Sequence, residues 1–262
     1  MLITFDLDGV LMLNPFGSGV FPYVRKVISE QSGADPQEIR KAITAEAVKR
    51  QLQGEMVAAY DWDDIIQVVS ASFGVDWSES IAGLVEHHCV PPHIKLYPGV
   101  VELLTNLSEA GHTLRALTNG FRIYQYPVLK ALGIAHFFDK IITPELVGFA
   151  KPSREFYAAA RVDSTLPHIH IGDNVIHDVW GANRGGAISI WVHNNLPEGW
   201  ERKTPLERAT DPFITQIVQA GIDADLCPHC HPELELSQAL PRFVVGHLSE
   251  VDEIIPLLVQ AS

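Results

Sequence analysis

Short apolar runs alternate with longer amphipathic segments along most of the chain. The first run, Leu2-Ile3-Thr4-Phe5, predicts a buried strand that ends at Asp6. Four further strands are predicted at residues 114–117, 140–142, 168–171 and 188–192. Helical periodicity predicts helices at residues 99–110, 153–161 and 249–259. Such alternation is typical of an α/β protein with a mostly parallel sheet.

The stretch from residue 14 to residue 93 interrupts this alternation, because it contains helical patterns and no convincing strand. Its predicted helices lie at residues 22–31, 35–53, 61–73 and 78–88. Asn14-Pro15 and Pro91-Pro92 are plausible hinges at its two ends. We therefore predict a doubly wound, Rossmann-like core with an inserted all-helical domain. The core would comprise residues 1–13 and 94–262, with 196–240 as an irregular insertion, and the helical domain residues 14–93.

The composition adds limits on the class of protein. The 262 residues are 47% hydrophobic, enough for a buried core and against disorder as the main state. The 32 acidic and 19 basic side chains give a net charge of -13. This disfavours a nucleic-acid partner, since such binding depends on Lys and Arg that neutralise phosphates. With only three cysteines, no apolar run of roughly 20 residues and no signal peptide, we expect a cytoplasmic protein that does not bind membranes.

Polar residues follow several of the predicted strands. Asp6-Leu7-Asp8-Gly9 comes directly after the first strand, where parallel-sheet enzymes place their sites. By itself this motif is as compatible with a solvated strand end as with a functional site. A calcium loop is excluded, because the next four residues offer no oxygen-bearing side chains. Thr118-Asn119-Gly120 follows the second core strand with a hydroxyl and backbone N–H groups that suit phosphate oxygens, although an Asn-Gly turn is common.

Two later segments strengthen this interpretation. Lys151 stands just before a predicted helix, where a cation and a helix N-terminus together attract an anion; a lone surface lysine is the ordinary alternative. Asp173 and Asp178 follow the strand at residues 168–171. Each segment alone could be a loop, but four polar strand ends in this order indicate an active site.

The four segments together resemble the motifs of the haloacid dehalogenase-like hydrolase superfamily. The matching stretches are residues 6–10, 117–120, 151–152 and 172–178. The helical domain lies between the first two motifs, as the helical cap does in the phosphatase branch of that superfamily. The resemblance covers nearly the whole chain except residues 196–240.

The resemblance implies a role for each matched residue. Asp6 would be the nucleophile that forms an aspartyl-phosphate, and Asp8 the acid and then the base. The phosphoryl oxygens would be held by Thr118, Asn119, Gly120 and Lys151. Magnesium would be bound by Asp6, the backbone carbonyl of Asp8, and Asp173, with Asp178 behind Asp173.

The reaction within the superfamily depends on Asp8. The dehalogenases lack a carboxylate at this position, because a halide leaving group needs no proton. We therefore predict magnesium-dependent hydrolysis of small phosphomonoesters, with a small phosphorylated metabolite as substrate and a monomer or homodimer as the assembly. A sugar-phosphate mutase, a phosphonate or haloacid hydrolase, and a non-catalytic binding protein that has kept the fold remain alternatives.

Two weaker patterns stand outside the four motifs. Cys227 and Cys230 are spaced C-x-x-C and His231 follows, a spacing with which two thiolates could hold a structural zinc ion. Two unliganded thiols in a loop are the simpler alternative. The aromatic residues Phe16 and Phe21 run from the first motif into the helical domain and could line the substrate pocket or merely pack between the domains.

Overall fold

A six-stranded parallel sheet forms the centre of the computed structural model, which describes residues 1–161 and 166–260. The strands are β1 Leu2–Phe5, β2 Met12–Leu13, β3 Lys95–Leu96, β4 Thr113–Leu117, β5 Lys140–Ile142, β6 His168–Gly172, β7 Ile188–Val192 and β8 Phe243–Val245. The sheet order is β5-β4-β1-β6-β7-β8, while β2 and β3 pair antiparallel beside it. The predicted α/β fold and its five strands are confirmed, and β8 and the β2–β3 pair were not predicted.

The first strand lies at the middle of the sheet. Phe5 at its end pairs with Ala116 on β4 and with Ile171 on β6. Because the three strands are parallel and in this register, the residues that follow them leave the sheet at the same edge. This edge is where the polar motifs are found.

Twelve α-helices are present in the described ranges. They are α1 Phe21–Ser32, α2 Pro36–Leu52, α3 Trp62–Ser72, α4 Ile81–His87, α5 Val100–Glu109, α6 Arg122–Ala131, α7 Pro144–Val147, α8 Arg154–Ala159, α9 Gly181–Arg184, α10 Pro205–Ala209, α11 Ile214–Asp223 and α12 Val251–Gln260. Helices α1 to α4 come between β2 and β3, where the helical domain was predicted. None of the helices in these ranges has the length and apolar character that crossing a bilayer requires.

Side-chain caps fix where helices begin in the helical segment, residues 14–93. Asp35 accepts a hydrogen bond from the backbone N–H of Gln37 before α2, and Asp61 accepts one from Asp64 before α3. Such caps satisfy N–H groups that a helix cannot satisfy internally. Buried residues of these helices, such as Ile39, share one apolar cluster with Ile3 of the central strand. The helical segment therefore packs against the core that contains the central strand.

The stretch 196–240 differs from the irregular insertion that we expected. It contains α10 and α11, and the buried Trp200 and Val218 pack in a separate apolar cluster with Trp180 and Trp191 of the core. The stretch is rich in proline and polar residues, with little apolar material to form a core by itself. The core supplies the missing apolar surface, because Trp180 and Trp191 face it from the segments on either side of α9.

Candidate active site

The polar segments after the strands meet in one cavity of about 350 Å³. Asp6 follows β1, Thr118 follows β4 and Asp173 follows β6, while Lys151 reaches the cavity from between α7 and α8. The sequence-predicted residues Asp6, Asp8, Thr118, Asn119, Gly120, Lys151, Asp173 and Asp178 all line it. The structure thus brings together every residue of the predicted phosphate and magnesium sites.

Lys151 is buried between two carboxylates. Its Nζ lies 2.6 Å from Oδ1 of Asp6 and 2.6 Å from Oδ1 of Asp178. Burial by itself would lower the pKa of Lys151, but Asp178 and Asp6 outweigh that effect and raise the pKa. Asp178 keeps a lowered pKa despite its burial, because Lys151 and His170 stabilise its charge. Lys151 is therefore a fixed positive charge beside Asp6.

A group of acidic side chains surrounds this lysine. Asp6, Asp173 and Asp178 each offer an oxygen, and these oxygens lie within 4.8 Å of one another. Burial raises the pKa of Asp6 well above its ordinary range, against the opposing effect of Lys151. Burial, with repulsion from Asp178, raises the pKa of Asp173 to about 7. Crowded carboxylates of this kind fit a divalent cation that prefers oxygen ligands, such as Mg²⁺.

Glycines allow the two acidic loops to approach so closely. Gly9 has a left-handed φ of 81°, and a Cβ atom there would overlap the Asp173 carboxylate. A Cβ atom on Gly172 would likewise overlap the Asp178 side chain. Any larger residue at these two positions would push the acidic groups apart.

Asp8 occupies a different environment from Asp6. Its Oδ2 accepts a 2.7 Å hydrogen bond from Nε2 of Gln125 on α6, and its buried Oδ1 has no partner in the described ranges. Burial raises the pKa of Asp8 to about 6, although the hydrogen bond from Gln125 works in the opposite direction. A carboxyl group with this pKa is able to exchange a proton near neutral pH.

Asn119 holds the loop after β4 against Lys151 and Tyr60. Asn119 Oδ1 accepts from the backbone N–H of Lys151 at 2.8 Å, and its Nδ2 donates to the hydroxyl of Tyr60 at 2.8 Å. Thr118 Oγ1 accepts from the backbone N–H of Gly120 at 3.2 Å. The Asn119 side chain thus joins the loop that carries Lys151 to the helical segment. We expect it to position that loop in addition to its predicted place in the phosphate pocket.

Aromatic rings of the helical segment line one side of the cavity. Phe16, Phe21 and Trp62 line it together with Tyr60. The ring centroids of Phe21 and Trp62 lie 5.0 Å apart, and those of Phe16 and Trp62 lie 6.0 Å apart. The lining by Phe16 and Phe21 agrees with the sequence expectation, whereas Tyr60, Trp62 and Gln125 were missed, because no local motif marks them.

Comparison with known proteins identifies the family. A family model described as haloacid dehalogenase-like hydrolase matches residues 1–186. The chain belongs to the haloacid dehalogenase-like hydrolases. The match includes all four motif segments, so the family resemblance seen in the sequence is confirmed.

Two relatives of this haloacid dehalogenase-like hydrolase are named as a phosphatase and a nucleotidase. A glyceraldehyde 3-phosphate phosphatase of Methanopyrus kandleri is 35% identical over 124 residues, covering 46% of this chain and 53% of the relative. Pyrimidine 5'-nucleotidase YjjG of Escherichia coli is 28% identical over 129 residues, covering 47% and 55%. The aligned part thus spans about half the length of the curated relatives it matches.

Solved structures show how far the hydrolase shares the family fold. An HAD phosphatase from Thermococcus onnurineus has a TM-score of 0.69 at 20% identity, over 97% of each chain. L-2-haloacid dehalogenase from Xanthobacter autotrophicus has a TM-score of 0.60 at 18% identity, over 98% of this chain and 99% of that one. The likeness covers phosphatase and dehalogenase alike, so it shows the fold alone.

The predicted zinc site is not supported. Cys227 and Cys230 are joined in a disulfide, so neither offers a thiolate to a metal, and His231 packs with its ring centroid 5.4 Å from that of Trp180. Within residues 1–161 and 166–260, the aspartate group is the one cluster close enough to hold an ion. Apolar residues of the surrounding stretch pack against Trp180 and Trp191 of the core.

Proposed function

We propose that this hydrolase cleaves small phosphomonoesters in a magnesium-dependent reaction through a phosphorylated Asp6. The observation that carries the proposal is the contrast between two carboxyl groups in one cavity. Burial raises the pKa of both groups, but Asp6 is bound to the buried cation Lys151, which opposes that rise, whereas Asp8 is held by the neutral amide of Gln125. Different environments for paired carboxyl groups are what a division into nucleophile and acid requires.

In the first step, a carboxylate oxygen of Asp6 forms a bond to phosphorus while the bond from phosphorus to the ester oxygen breaks. The departing alkoxide takes a proton from the carboxylic acid of Asp8, so the alcohol leaves neutral. Lys151 stays protonated and offsets the negative charge on the phosphoryl group beside Asp6.

In the second step, the ionised Asp8 removes a proton from a water molecule, whose oxygen then bonds to phosphorus. The bond between phosphorus and Asp6 breaks, inorganic phosphate is released, and both aspartates return to their starting states. Gln125 keeps Asp8 in position throughout, because its Nε2 donates to Oδ2 and leaves the other oxygen available.

The charge of the cavity supports the need for magnesium. Its lining includes four aspartates and one lysine, which by themselves would repel a phosphate dianion. Asp6, Asp173 and the backbone carbonyl of Asp8 would hold Mg²⁺, with Asp178 behind them. When bound, the ion neutralises charge on the phosphoryl oxygens and orients them.

The leaving group of the substrate would face the aromatic rings of the helical segment. Phe21, Tyr60 and Trp62 also line an adjoining cavity of about 270 Å³, which contains Arg25 and Arg40. We infer that a small phosphorylated metabolite binds with its phosphate against Lys151 and its remaining atoms against these rings. Haloacid hydrolysis is disfavoured by Asp8, and a cytoplasmic monomer or homodimer remains our prediction.

A phosphate-release screen tests the proposal. The chain is incubated with a panel of small phosphomonoesters, with magnesium and after treatment with EDTA. We expect release of inorganic phosphate that EDTA stops and added magnesium restores. Absence of release from every ester, or equal release after exhaustive chelation, would contradict it. The exposed Asp76 provides a control variant, Asp76→Asn, which should behave as the wild type.

A further inference from the structure

A line of buried polar side chains runs from the active site into the sheet. His170 Nε2 lies 3.1 Å from Oδ1 of Asp178. On the other side of the ring, His170 Nδ1 lies 2.8 Å from the Thr4 hydroxyl, which in turn lies 2.8 Å from Nε2 of His168. The three side chains sit on the neighbouring strands β1 and β6 and are 0 to 3% exposed. None of them belongs to the four motifs.

The hydrogens of this line can be assigned from its ends. Asp178 is ionised and only accepts, so His170 must present Nε2–H to it, which leaves Nδ1 as an acceptor in the neutral ring. The Thr4 hydroxyl is then the donor to His170 Nδ1. The same hydroxyl oxygen accepts from Nε2–H of His168, whose Nδ1 has no partner in the described ranges.

The alternative assignment is less favourable. The Thr4 hydroxyl also lies 3.2 Å from the carbonyl oxygen of Ile169 and could donate there instead. His170 would then have to donate from Nδ1 to the Thr4 oxygen. Its Nε2 would either carry no hydrogen and face the Asp178 carboxylate with a lone pair, or carry a hydrogen as well, so that the ring would be a buried cation. Burial lowers the pKa of His170 and lowers that of His168 to about 3, which favours two neutral rings.

We propose that His168, Thr4 and His170 form a one-directional hydrogen-bond chain that positions Asp178, and through it Lys151, for the reaction at Asp6. The functional part of this inference rests on the proposed function, while the direction of the chain does not. His170 and Thr4 are positioning residues, since neither reaches the reacting atoms.

The need for such positioning follows from the contacts of Asp178. Its Oδ1 accepts from Lys151 and from His170, and its Oδ2 accepts from the backbone N–H of Asn174 at 2.9 Å. Loss of the His170 donor would leave one lone pair of a buried carboxylate unsatisfied. The carboxylate could then rotate, and Lys151 would lose its fixed distance from Asp6.

Nitrogen-15 NMR of the imidazole rings tests the direction of the chain in metal-free protein. We expect His168 and His170 to carry hydrogen on Nε2 and none on Nδ1, with resonances assigned through the variants His168→Gln and His170→Gln. Thr4→Val should shift the His170 Nδ1 resonance, and Thr4→Ser should leave it in place. Hydrogen on Nδ1 of His170 in the wild type would overturn the inference.

Kinetics and magnesium binding test the consequence. His170→Phe should lower kcat or the affinity for Mg²⁺, measured by calorimetry, by about 10- to 100-fold, whereas His170→Gln, which keeps a donor near the Nε2 position, should stay within about threefold of wild type. Thr4→Val, which removes the hydroxyl, should likewise lower kcat or the affinity for Mg²⁺, whereas Thr4→Ser, which keeps the hydroxyl, should stay close to wild type. Ile169→Val, a buried change on the same strand with its side chain on the other face, should alter neither quantity.

The outcomes separate this inference from the proposed function. If the wild type released no phosphate but the NMR tautomers and the calorimetric loss were as expected, the positioning chain would stand and the phosphatase assignment would fail. If His170→Phe folded like Ile169→Val and kept wild-type kcat and Mg²⁺ affinity, the chain would be structural only and the inference would be wrong.

Discussion

The floor and the roof of the active-site cavity are built from different chemistry. The floor, formed by Asp6, Lys151 and Asp178, is charged, buried and joined by hydrogen bonds of 2.6 Å. The roof, formed by Phe16, Phe21, Tyr60 and Trp62, is aromatic, and the ring centroids of Phe21 and Trp62 lie 5.0 Å apart. Removal of one partner from a buried ion pair is costly, about 3–5 kcal/mol, whereas aromatic contacts are less directional. Substitutions in the charged floor are therefore expected to cost more than substitutions in the aromatic roof.

The largest expected effect comes from the nucleophile of the floor. Asp6→Asn removes the attacking carboxylate but keeps the shape of the side chain, so phosphate release should fall by at least about 10³-fold while the fold persists. Circular dichroism and release assays, with Asp76→Asn as the matched exposed control, check this. Turnover within tenfold of wild type would remove Asp6 from the mechanism.

The next effect comes from Asp8 and depends on the leaving group. In a single turnover, Asp8→Asn should slow formation of the phosphorylated enzyme from an alkyl phosphate by about 10²- to 10⁴-fold, but should slow its formation from an aryl phosphate much less, because the phenolate needs no proton. Since the pKa of Asp8 is raised to about 6, the acid form is lost as pH rises through that value. Turnover of the alkyl ester should therefore decline above pH about 6 where the first step limits the rate.

The same pH experiment carries its own control. The decline should be absent for the aryl ester and absent in Asp8→Asn. An identical decline in wild type and variant would assign the titration to another group.

A smaller effect is expected from the roof. Trp62→Ala removes a ring that lines both cavities, so KM should rise about tenfold for a preferred substrate with kcat nearly unchanged. Trp77→Ala is the control, because Trp77 is buried in the same helical segment but lines neither cavity. A loss of kcat in Trp62→Ala without a change in KM would make the roof part of the catalytic machinery.

The smallest effect on turnover is expected from the disulfide. The double variant Cys227→Ser/Cys230→Ser should keep kcat within about twofold and lower the free energy of unfolding by about 2 kcal/mol or less, since the closed loop is short. Cys89→Ser, at the free and half-buried cysteine, is the control in a denaturant titration. A large loss of turnover would show that the stretch 196–240 supports the active site.

The floor could be predicted from the sequence and the roof largely could not. Asp6, Thr118 and Asp173 each follow an apolar run, and parallel strands bring their ends together whatever lies between. Gln125, Tyr60 and Trp62 reach the cavity through the packing of helices, which leaves no spacing to recognise. Of the roof, only Phe16 and Phe21 were anticipated, because they adjoin the first motif.

The hydrogen-bond chain and the stretch 196–240 were missed for related reasons. His168 and His170 alternate along a strand as apolar residues would, and their polar partners Thr4 and Asp178 come from other segments of the chain. Trp200 and Val218 find only part of their apolar contacts within the stretch, and Trp180 and Trp191 complete their cluster across the fold. In both cases the deciding contacts join residues distant in the chain.

Trapping of the phosphorylated enzyme tests the central claim most directly. The protein is mixed with substrate and magnesium, quenched in acid within one turnover, digested and analysed by mass spectrometry. We predict a phosphoryl group on Asp6, in larger amount in Asp8→Asn when an aryl phosphate is used, because that variant forms the intermediate but hydrolyses it slowly. Phosphate release with no phosphoryl group on Asp6 at any quench time, or with the group on another residue, would contradict it.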